Sequence, residues 1–108
     1  MASSTTANLD IRIAQDQNYH GDDWWSWSIW IEGDDAELDR IERVVYQLHR
    51  TFPDPVRTRT ERASKFKLEA EGWGVFTIYA RVFTHEGVTC KLSHELELNY
   101  PDGTATFA

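Results

Sequence analysis

The feature that most constrains the fold of this chain is a run of strict alternation near its C-terminal end. From Val88 to Tyr100, apolar or weakly polar residues occupy every second position, and polar or charged residues occupy the positions between them. Successive side chains of a β-strand point to opposite faces, so this pattern predicts one dry face and one wet face. An antiparallel sheet packed on one side requires this arrangement. The run therefore predicts a strand of such a sheet.

Shorter segments with the same period of two occur along the rest of the chain. The further predicted strands are residues 9–13, 24–31, 44–49, 66–70, 76–82 and a short last one at 104–107. Residues 37–43 are predicted to include a short helical turn, residues 18–23 are predicted to be a loop, and residues 56–64 are predicted to be a loop or a ragged edge. Short strands at a spacing of roughly 8–12 residues, with almost no helix, predict an all-β chain that forms an immunoglobulin-like antiparallel β-sandwich.

Length and charge limit the organisation and the partners of the chain. Its 108 residues suit a single domain, predicted over residues 9–108, after a disordered segment at residues 1–8. The chain has 11 basic and 18 acidic residues, a net charge of −7, so nucleic acids and anionic membranes repel it. We therefore expect no nucleic-acid or membrane partner.

Location and assembly are inferred from what the sequence does not contain. Residues 1–8 lack the basic and apolar regions of a signal peptide, and the longest mostly apolar run, at residues 24–31, is too short for a membrane span. Cys90 is the only cysteine, which fits a reducing compartment. We expect a cytoplasmic protein, with a monomer favoured.

Residues that could carry catalysis or bind a metal are few. The four histidines (His20, His49, His85 and His94) have no metal-ligand spacing. No catalytic residue, metal ligand or cofactor is therefore predicted. A nucleophile–base pair of Thr51 and His49 would need an acidic residue to orient the imidazole.

Two aromatic residues lie beside predicted loops. Phe52 follows the strand at residues 44–49, and Trp73 lies between Gly72 and Gly74 at a bend. A tryptophan between two glycines has a backbone that a ligand can approach closely. Alternatively, Trp73 caps the end of the sandwich and the glycines only allow the turn. The spacing leaves both interpretations open.

Four blocks of the sequence, in this order, resemble the YEATS domain family. They are residues 27–31 (WSIWI), 44–52 (VVYQLHRTF), 72–76 (GWGVF) and 92–98 (LSHELEL). The resemblance covers about residues 9–100, nearly the whole chain, and is that of a stand-alone, prokaryotic version of the domain. It implies an immunoglobulin-like sandwich, in agreement with the strand pattern. Eukaryotic members of this family read acetylated and crotonylated lysines on histone tails with loops at one end of the sandwich.

The resemblance also implies a role for individual residues. Phe52 and Trp73 are expected to form the two walls of an aromatic slot. Thr51, in place of the more usual serine, is expected to bond the acyl amide N–H through its hydroxyl, and the backbone N–H of Trp73 is expected to meet the acyl carbonyl. His49 is expected to shape the floor of the pocket.

The remaining site residues are the flanking glycines and two further aromatics. Gly72 and Gly74 are expected to allow a close approach of the ligand. The family often has a third aromatic in the loop before the first tryptophan block, and Trp24 and Trp25 are its candidate substitutes here.

Three functions are compatible with these observations. The first is a non-enzymatic module that binds a peptide or protein bearing an acylated lysine (acetyl or crotonyl). The second is a protein-interaction or scaffold sandwich without an acyl pocket, and the third is an enzyme that uses His49 and Thr51. An open slot between Phe52 and Trp73 favours the first function, and rings packed on each other favour the second. A carboxylate bonded to His49 favours the third.

Overall fold

Two antiparallel sheets make up most of the structure, a computed structural model that describes residues 9–106. The elements are β1 (Ile11–Gly21), β2 (Trp24–Gly33), α1 (Asp35–Leu38), β3 (Ile41–Gln47), β4 (Val56–Arg59), a 3-10 turn (Arg62–Ser64), β5 (Leu68–Gly72), β6 (Thr77–Thr84) and β7 (Thr89–Glu95). One sheet has the strand order β1-β2-β5, and the other has the order β4-β3-β6-β7. The predicted all-β, immunoglobulin-like sandwich is confirmed. Within residues 9–106, no helix has the length and apolar character needed to cross a bilayer.

The core lies between the inner faces of the two sheets. On β2, alternate side chains are at most 3% exposed: Trp25, Trp27, Ile29 and Ile31. The opposing sheet contributes buried residues from β3 and β6: Val44, Tyr46, Ile78, Ala80 and Val82. The predicted inward phase of β2 is therefore confirmed. The buried hydroxyl of Tyr46 donates a hydrogen bond to the carbonyl of Phe66, 2.8 Å away, which satisfies the one polar atom of that side chain.

The first hairpin corrects the prediction of a loop at residues 18–23. β1 continues to Gly21 and stays paired with β2, and the turn consists of Asp22 and Asp23 alone, both with positive φ (54° and 56°). Positive φ at both central residues is what type I′ hairpin turns need, and aspartate tolerates it better than most residues. Polar residues at the tip of β1 are compatible with a strand here because β1 is an edge strand.

The alternating run at residues 88–100 is only partly a strand. β7 ends at Glu95, yet Leu96 and Leu98 remain buried. Beyond β7, the side chain of Gln15 on β1 accepts a hydrogen bond from the backbone N–H of Glu97 and donates one to its carbonyl, at 2.9 and 2.7 Å. Hydrogen bonds from a side-chain amide thus take the place of backbone pairing between strands. The prediction that Leu96 and Leu98 are buried is right, and the prediction that the strand continues beyond residue 95 is wrong.

The other boundaries differ from the predictions by a few residues or fall partly outside the described chain. Residues 56–59 form an edge strand in a region predicted to be a loop or a ragged edge, and Ala105 forms a single bridge with Asn99 where a short last strand was predicted. Residues 1–8, predicted to be disordered, and residue 107 lie outside the described residues.

The two loops that contain Phe52 and Trp73 lie at one end of the sandwich. β3 ends at Gln47, which pairs with Tyr79 near the start of β6. β5 ends at Gly72, which pairs with Trp25 near the start of β2. The segments 48–55 and 73–76 therefore emerge at the same end of the two sheets.

Candidate functional site

Segments 48–55 and 73–76, with the end of β5, enclose a cavity of about 480 Å³. The lining residues are His49, Thr51, Phe52, Pro53, Glu71, Trp73, Gly74, Val75 and Phe76. Most of these side chains are apolar, and a few polar groups lie among them, which is typical of sites that bind a small molecule or a side chain. Hereafter this space is called the loop cavity.

Phe52 is fixed on one side of the loop cavity by other rings. Its ring centroid lies 5.3 Å from that of Phe76 and 6.2 Å from that of the buried Trp27. Phe76 and Trp27 are themselves 5.9 Å apart in an edge-to-face arrangement. Aromatic pairs at these distances and angles attract each other, so Phe52 forms a stable wall anchored to the core.

Trp73 lines the same cavity but is free of ring contacts. Its side chain is 59% exposed, and among residues 9–106 no ring packs on its indole and no hydrogen bond reaches it. Phe52 and Trp73 therefore line one cavity without packing on each other.

Thr51 and His49 form a polar pair at the cavity. The hydroxyl oxygen of Thr51 lies 2.8 Å from Nδ1 of His49, and the backbone N–H of Thr51 donates to the same nitrogen at 3.2 Å. Because a backbone N–H can only donate, Nδ1 must act as an acceptor, which assigns the ring proton of neutral His49 to Nε2. The hydroxyl proton of Thr51 then points to Nδ1, and the lone pairs of Oγ1 remain available to accept a further hydrogen bond.

The two glycines beside Trp73 are not equivalent. Gly74 lines the loop cavity, whereas Gly72 is the last residue of β5 and pairs with Trp25. The φ angle of Gly72 is not in the left-handed region, and a Cβ added there would lie 3.8 Å from Cζ of Phe52, an ordinary contact. The backbone at position 72 therefore does not require glycine.

Trp24 and Trp25 do not line the loop cavity. Trp25 is fully buried, 4.9 Å from the ring of Tyr19 and 5.0 Å from that of Tyr100, because it is in phase with the inward residues of β2. Trp24 is 40% exposed, and its indole N–H donates to Oε1 of Glu71 at 2.9 Å. Trp24 thus contacts one lining residue, Glu71, but does not line the cavity itself.

Four residues of the loop cavity were not among the predicted site residues: Pro53, Glu71, Val75 and Phe76. Phe76 is a third aromatic side chain that lines the cavity, beside Phe52. A signal for it was present, since it ends the GWGVF block, but alternation along residues 76–82 assigned it to a strand face. Glu71 gave no signal, because a single acidic residue at a strand end usually lies in solvent.

An enzyme that used Thr51 and His49 would need an acidic residue beside the imidazole, and the described part of the chain does not place one there. No carboxylate among residues 9–106 hydrogen-bonds to His49, and no group of three or more His, Cys, Asp or Glu residues there could hold a metal ion. Burial raises the pKa of the Cys90 thiol, which disfavours the reactive thiolate. His94 contacts Oε1 of Gln15 through Nε2 at 2.6 Å, a structural contact between β7 and β1.

Residues 25–97 match the model of the prokaryotic YEATS domain family. The chain belongs to this family. The matched range begins in β2 and ends just beyond β7, and it includes every residue that lines the loop cavity.

Curated relatives are longer proteins that contain a YEATS-like region. This YEATS domain is 36% identical over 78 residues to the protein AF-9 homolog of Saccharomyces cerevisiae, which is 68% of this chain and 34% of that protein. It is 33% identical over 81 residues to the transcription initiation factor TFIID subunit 14b of Arabidopsis thaliana, which is 70% of this chain and 29% of that protein. The chain thus spans about a third or less of the length of these relatives.

Solved structures share the fold. The Yaf9 YEATS domain bound to H3K27ac superposes with a TM-score of 0.69 at 24% identity, over 89% of this chain and 78% of that one. The Yaf9 YEATS domain recognising an H3K122suc peptide superposes with a TM-score of 0.61 at 25% identity, over the same shares of each chain.

Proposed function

We propose that this YEATS domain is a non-enzymatic module that binds an acylated lysine in the loop cavity. The observation that carries this proposal is a cavity lined both by a fixed ring, Phe52, and by an unpacked one, Trp73. The Yaf9 YEATS domain, which has a similar fold, is described in two solved structures with acylated histone peptides, H3K27ac and H3K122suc, and this supports an acylated lysine as the ligand here.

The chemistry of the cavity suits an acyl-lysine. An acylated lysine carries a planar, neutral amide on an aliphatic stem, and a planar group can lie between two rings. An unmodified ammonium would lose its hydration there, at a heavy cost in free energy. Acylation removes that charge, so an aromatic slot can distinguish the modified side chain from the unmodified one.

Two hydrogen bonds are proposed to orient the acyl amide. Oγ1 of Thr51 accepts from the amide N–H, because its own proton is directed to Nδ1 of His49. The backbone N–H of Trp73 donates to the acyl carbonyl. Both polar atoms of the amide are then satisfied inside an otherwise apolar site, as buried polar groups need to be.

The surroundings of the domain are also proposals. We infer that a single domain over residues 9–108 acts in the cytoplasm, as a monomer without cofactor, on a peptide or protein that bears acyl-lysine. The net charge of −7 supports basic peptides as ligands and argues against nucleic acids and anionic membranes.

The test is an NMR titration of the labelled protein with crotonyl-lysine, acetyl-lysine and unmodified peptides of one sequence. We expect shifts at residues 49–52 and 72–76 with the acylated peptides only. Trp73→Ala is expected to abolish most of the response. Tyr79→Ala is the matched control, because Tyr79 is an equally exposed ring (55%) on β6 that does not line the loop cavity. No response of a folded sample at millimolar peptide would favour the scaffold function instead.

A further inference from the structure

Glu71 brings a negative charge to the residues that line the loop cavity. It is the penultimate residue of β5 and the single acidic or basic side chain (Asp, Glu, Lys or Arg) among the nine residues that line this cavity. Its Oε1 accepts a hydrogen bond from the indole N–H of Trp24 at 2.9 Å. This hydrogen bond favours one position of the carboxylate, beside the start of β2.

We propose that Glu71 makes the loop cavity select acyl groups by charge. The cavity accepts neutral acyl-lysines such as acetyl and crotonyl, and it disfavours acyl groups that end in a carboxylate, such as malonyl, succinyl and glutaryl. This inference rests on the proposed function, since it concerns the ligand of the same site.

No cation among the lining residues offsets Glu71. The guanidinium of Arg57 has its Cζ 5.9 Å from the centroid of Phe52. However, it does not line the cavity, and it donates to the carbonyls of Pro53 and Asp54 at 2.9 and 3.1 Å. Those bonds hold it against its own loop. A terminal carboxylate on the acyl chain would therefore enter a site with a like charge and no Lys or Arg among its lining residues.

Trp24 is a positioning residue in this arrangement. It touches Glu71 and not the cavity, so its effect on a ligand passes through the carboxylate. Removing the indole N–H while keeping a ring, as in Trp24→Phe, frees Glu71 to rotate into solvent. Glu71→Gln therefore removes the charge, whereas Trp24→Phe keeps the charge and frees the side chain that carries it.

The Yaf9 YEATS domain provides a contrast for anionic acyl groups. The Yaf9 YEATS domain is described as recognising an H3K122suc peptide, and a succinyl group carries a terminal carboxylate. The two domains share a fold but only 25% identity. We expect their preferences for anionic acyl groups to differ, with Glu71 as the residue responsible in this chain.

The experiment compares two peptides that differ only in the acyl group, crotonyl-lysine and succinyl-lysine. Their dissociation constants are measured by isothermal titration calorimetry or NMR for the wild type, Glu71→Gln and Glu69→Gln. Glu69 is the matched control, because it lies two residues earlier on the same strand and does not line the loop cavity. Both substitutions remove one negative charge.

Glu71→Gln is expected to tighten succinyl binding by about two- to fivefold, the scale of exposed charge interactions, with little change for crotonyl. Glu69→Gln is expected to leave the ratio of the two constants unchanged. The effect of Glu71→Gln is expected to shrink with added salt, since exposed charges are screened. Trp24→Phe is expected to move the ratio part of the way towards that of Glu71→Gln, and a merely structural role would not change a ratio.

Two results would overturn the inference while leaving the proposed function intact. One is equal binding of crotonyl and succinyl peptides by the wild type. The other is an equal change of the ratio in Glu71→Gln and Glu69→Gln, which would show an effect of net charge alone. Absence of binding to every acyl peptide by a folded wild type would refute the proposed function, and the charge selection with it.

Discussion

The hydroxyl of Thr51 and Nδ1 of His49 lie 2.8 Å apart, and the backbone N–H of Thr51 approaches the same nitrogen. The imidazole therefore receives two donors from one residue. This arrangement fixes the direction of the threonine proton before any ligand arrives. A site prepared in this way loses less free energy on ordering when the ligand binds.

The first prediction concerns that hydroxyl. Thr51→Val keeps the shape of the side chain and removes the acceptor, so crotonyl-lysine binding should weaken by about 1 kcal/mol or more. Thr51→Ser is the matched control, because it keeps the hydroxyl and should keep the affinity. Calorimetric titration of both variants checks this, with thermal melting to confirm the fold. Equal affinities of the Val and Ser variants would show that Oγ1 does not contact the ligand.

The second prediction separates two glycines by the space around them. At Gly72 an added Cβ would lie 3.8 Å from Cζ of Phe52, so Gly72→Ala should fold normally. A methyl at Gly33 would lie 2.8 Å from Cγ2 of Ile11 and 3.1 Å from the carbonyl of Asp10, so Gly33→Ala should destabilise the protein. Thermal unfolding of both variants measures the difference.

Outcomes at Gly72 also test the site. Since the added methyl faces the ring of Phe52, acyl-lysine binding by Gly72→Ala should stay close to that of the wild type. A loss of binding with an unchanged melting temperature would mean that the ligand needs the space beside Gly72, as the resemblance to the family implied.

Periodicity predicted the fold well where one face of a strand is buried and apolar. On β2, Trp27 and Ile29 mark the inward phase, and the structure places both in the core. The same reasoning failed on β1, where Gln15 and Gln17 occupy inward positions. Their amides bond the backbone of Glu97 and Asn99, so the strand continues without apolar residues. Hydrogen bonds between residues 82 positions apart produce no periodic pattern in the sequence.

The site was predictable only where a motif named its residues. The family resemblance named Phe52 and Trp73, and both line the loop cavity. Neighbouring residues such as Glu71 enter the site because two loops and a strand end meet in space, which no single segment encodes. Trp25 was expected near the ligand, yet its phase on β2 places it in the core.

The third prediction concerns the buried segment after β7. Leu96 is 3% exposed, and its backbone N–H donates to the carbonyl of Phe76 at 3.0 Å. Leu96→Ala should cost about 2–5 kcal/mol of the free energy of unfolding, and Leu96→Asp should abolish folding. Its neighbour Glu97 is exposed, so Glu97→Ala should change stability by about 0.5 kcal/mol or less. A Leu96→Asp protein that melts cooperatively near the wild-type temperature would contradict the burial.

The last prediction is a pH dependence of stability that originates at His94. Burial, the largest cause, lowers the pKa of His94 below its ordinary value of 6.5, although the charges of Glu97 and Glu95 act in the opposite direction. As the pH falls, the unfolded chain therefore takes up this proton before the folded chain does. By linkage, the stability that neutral His94 contributes is present above about pH 6.5 and is lost as the pH falls towards the folded-state value. Urea unfolding at pH 7.5, 6.0 and 5.0 should show a smaller loss of stability for His94→Gln than for the wild type, since glutamine can still bond Gln15 but does not titrate. Identical losses in the two proteins would mean that other groups account for the whole pH dependence.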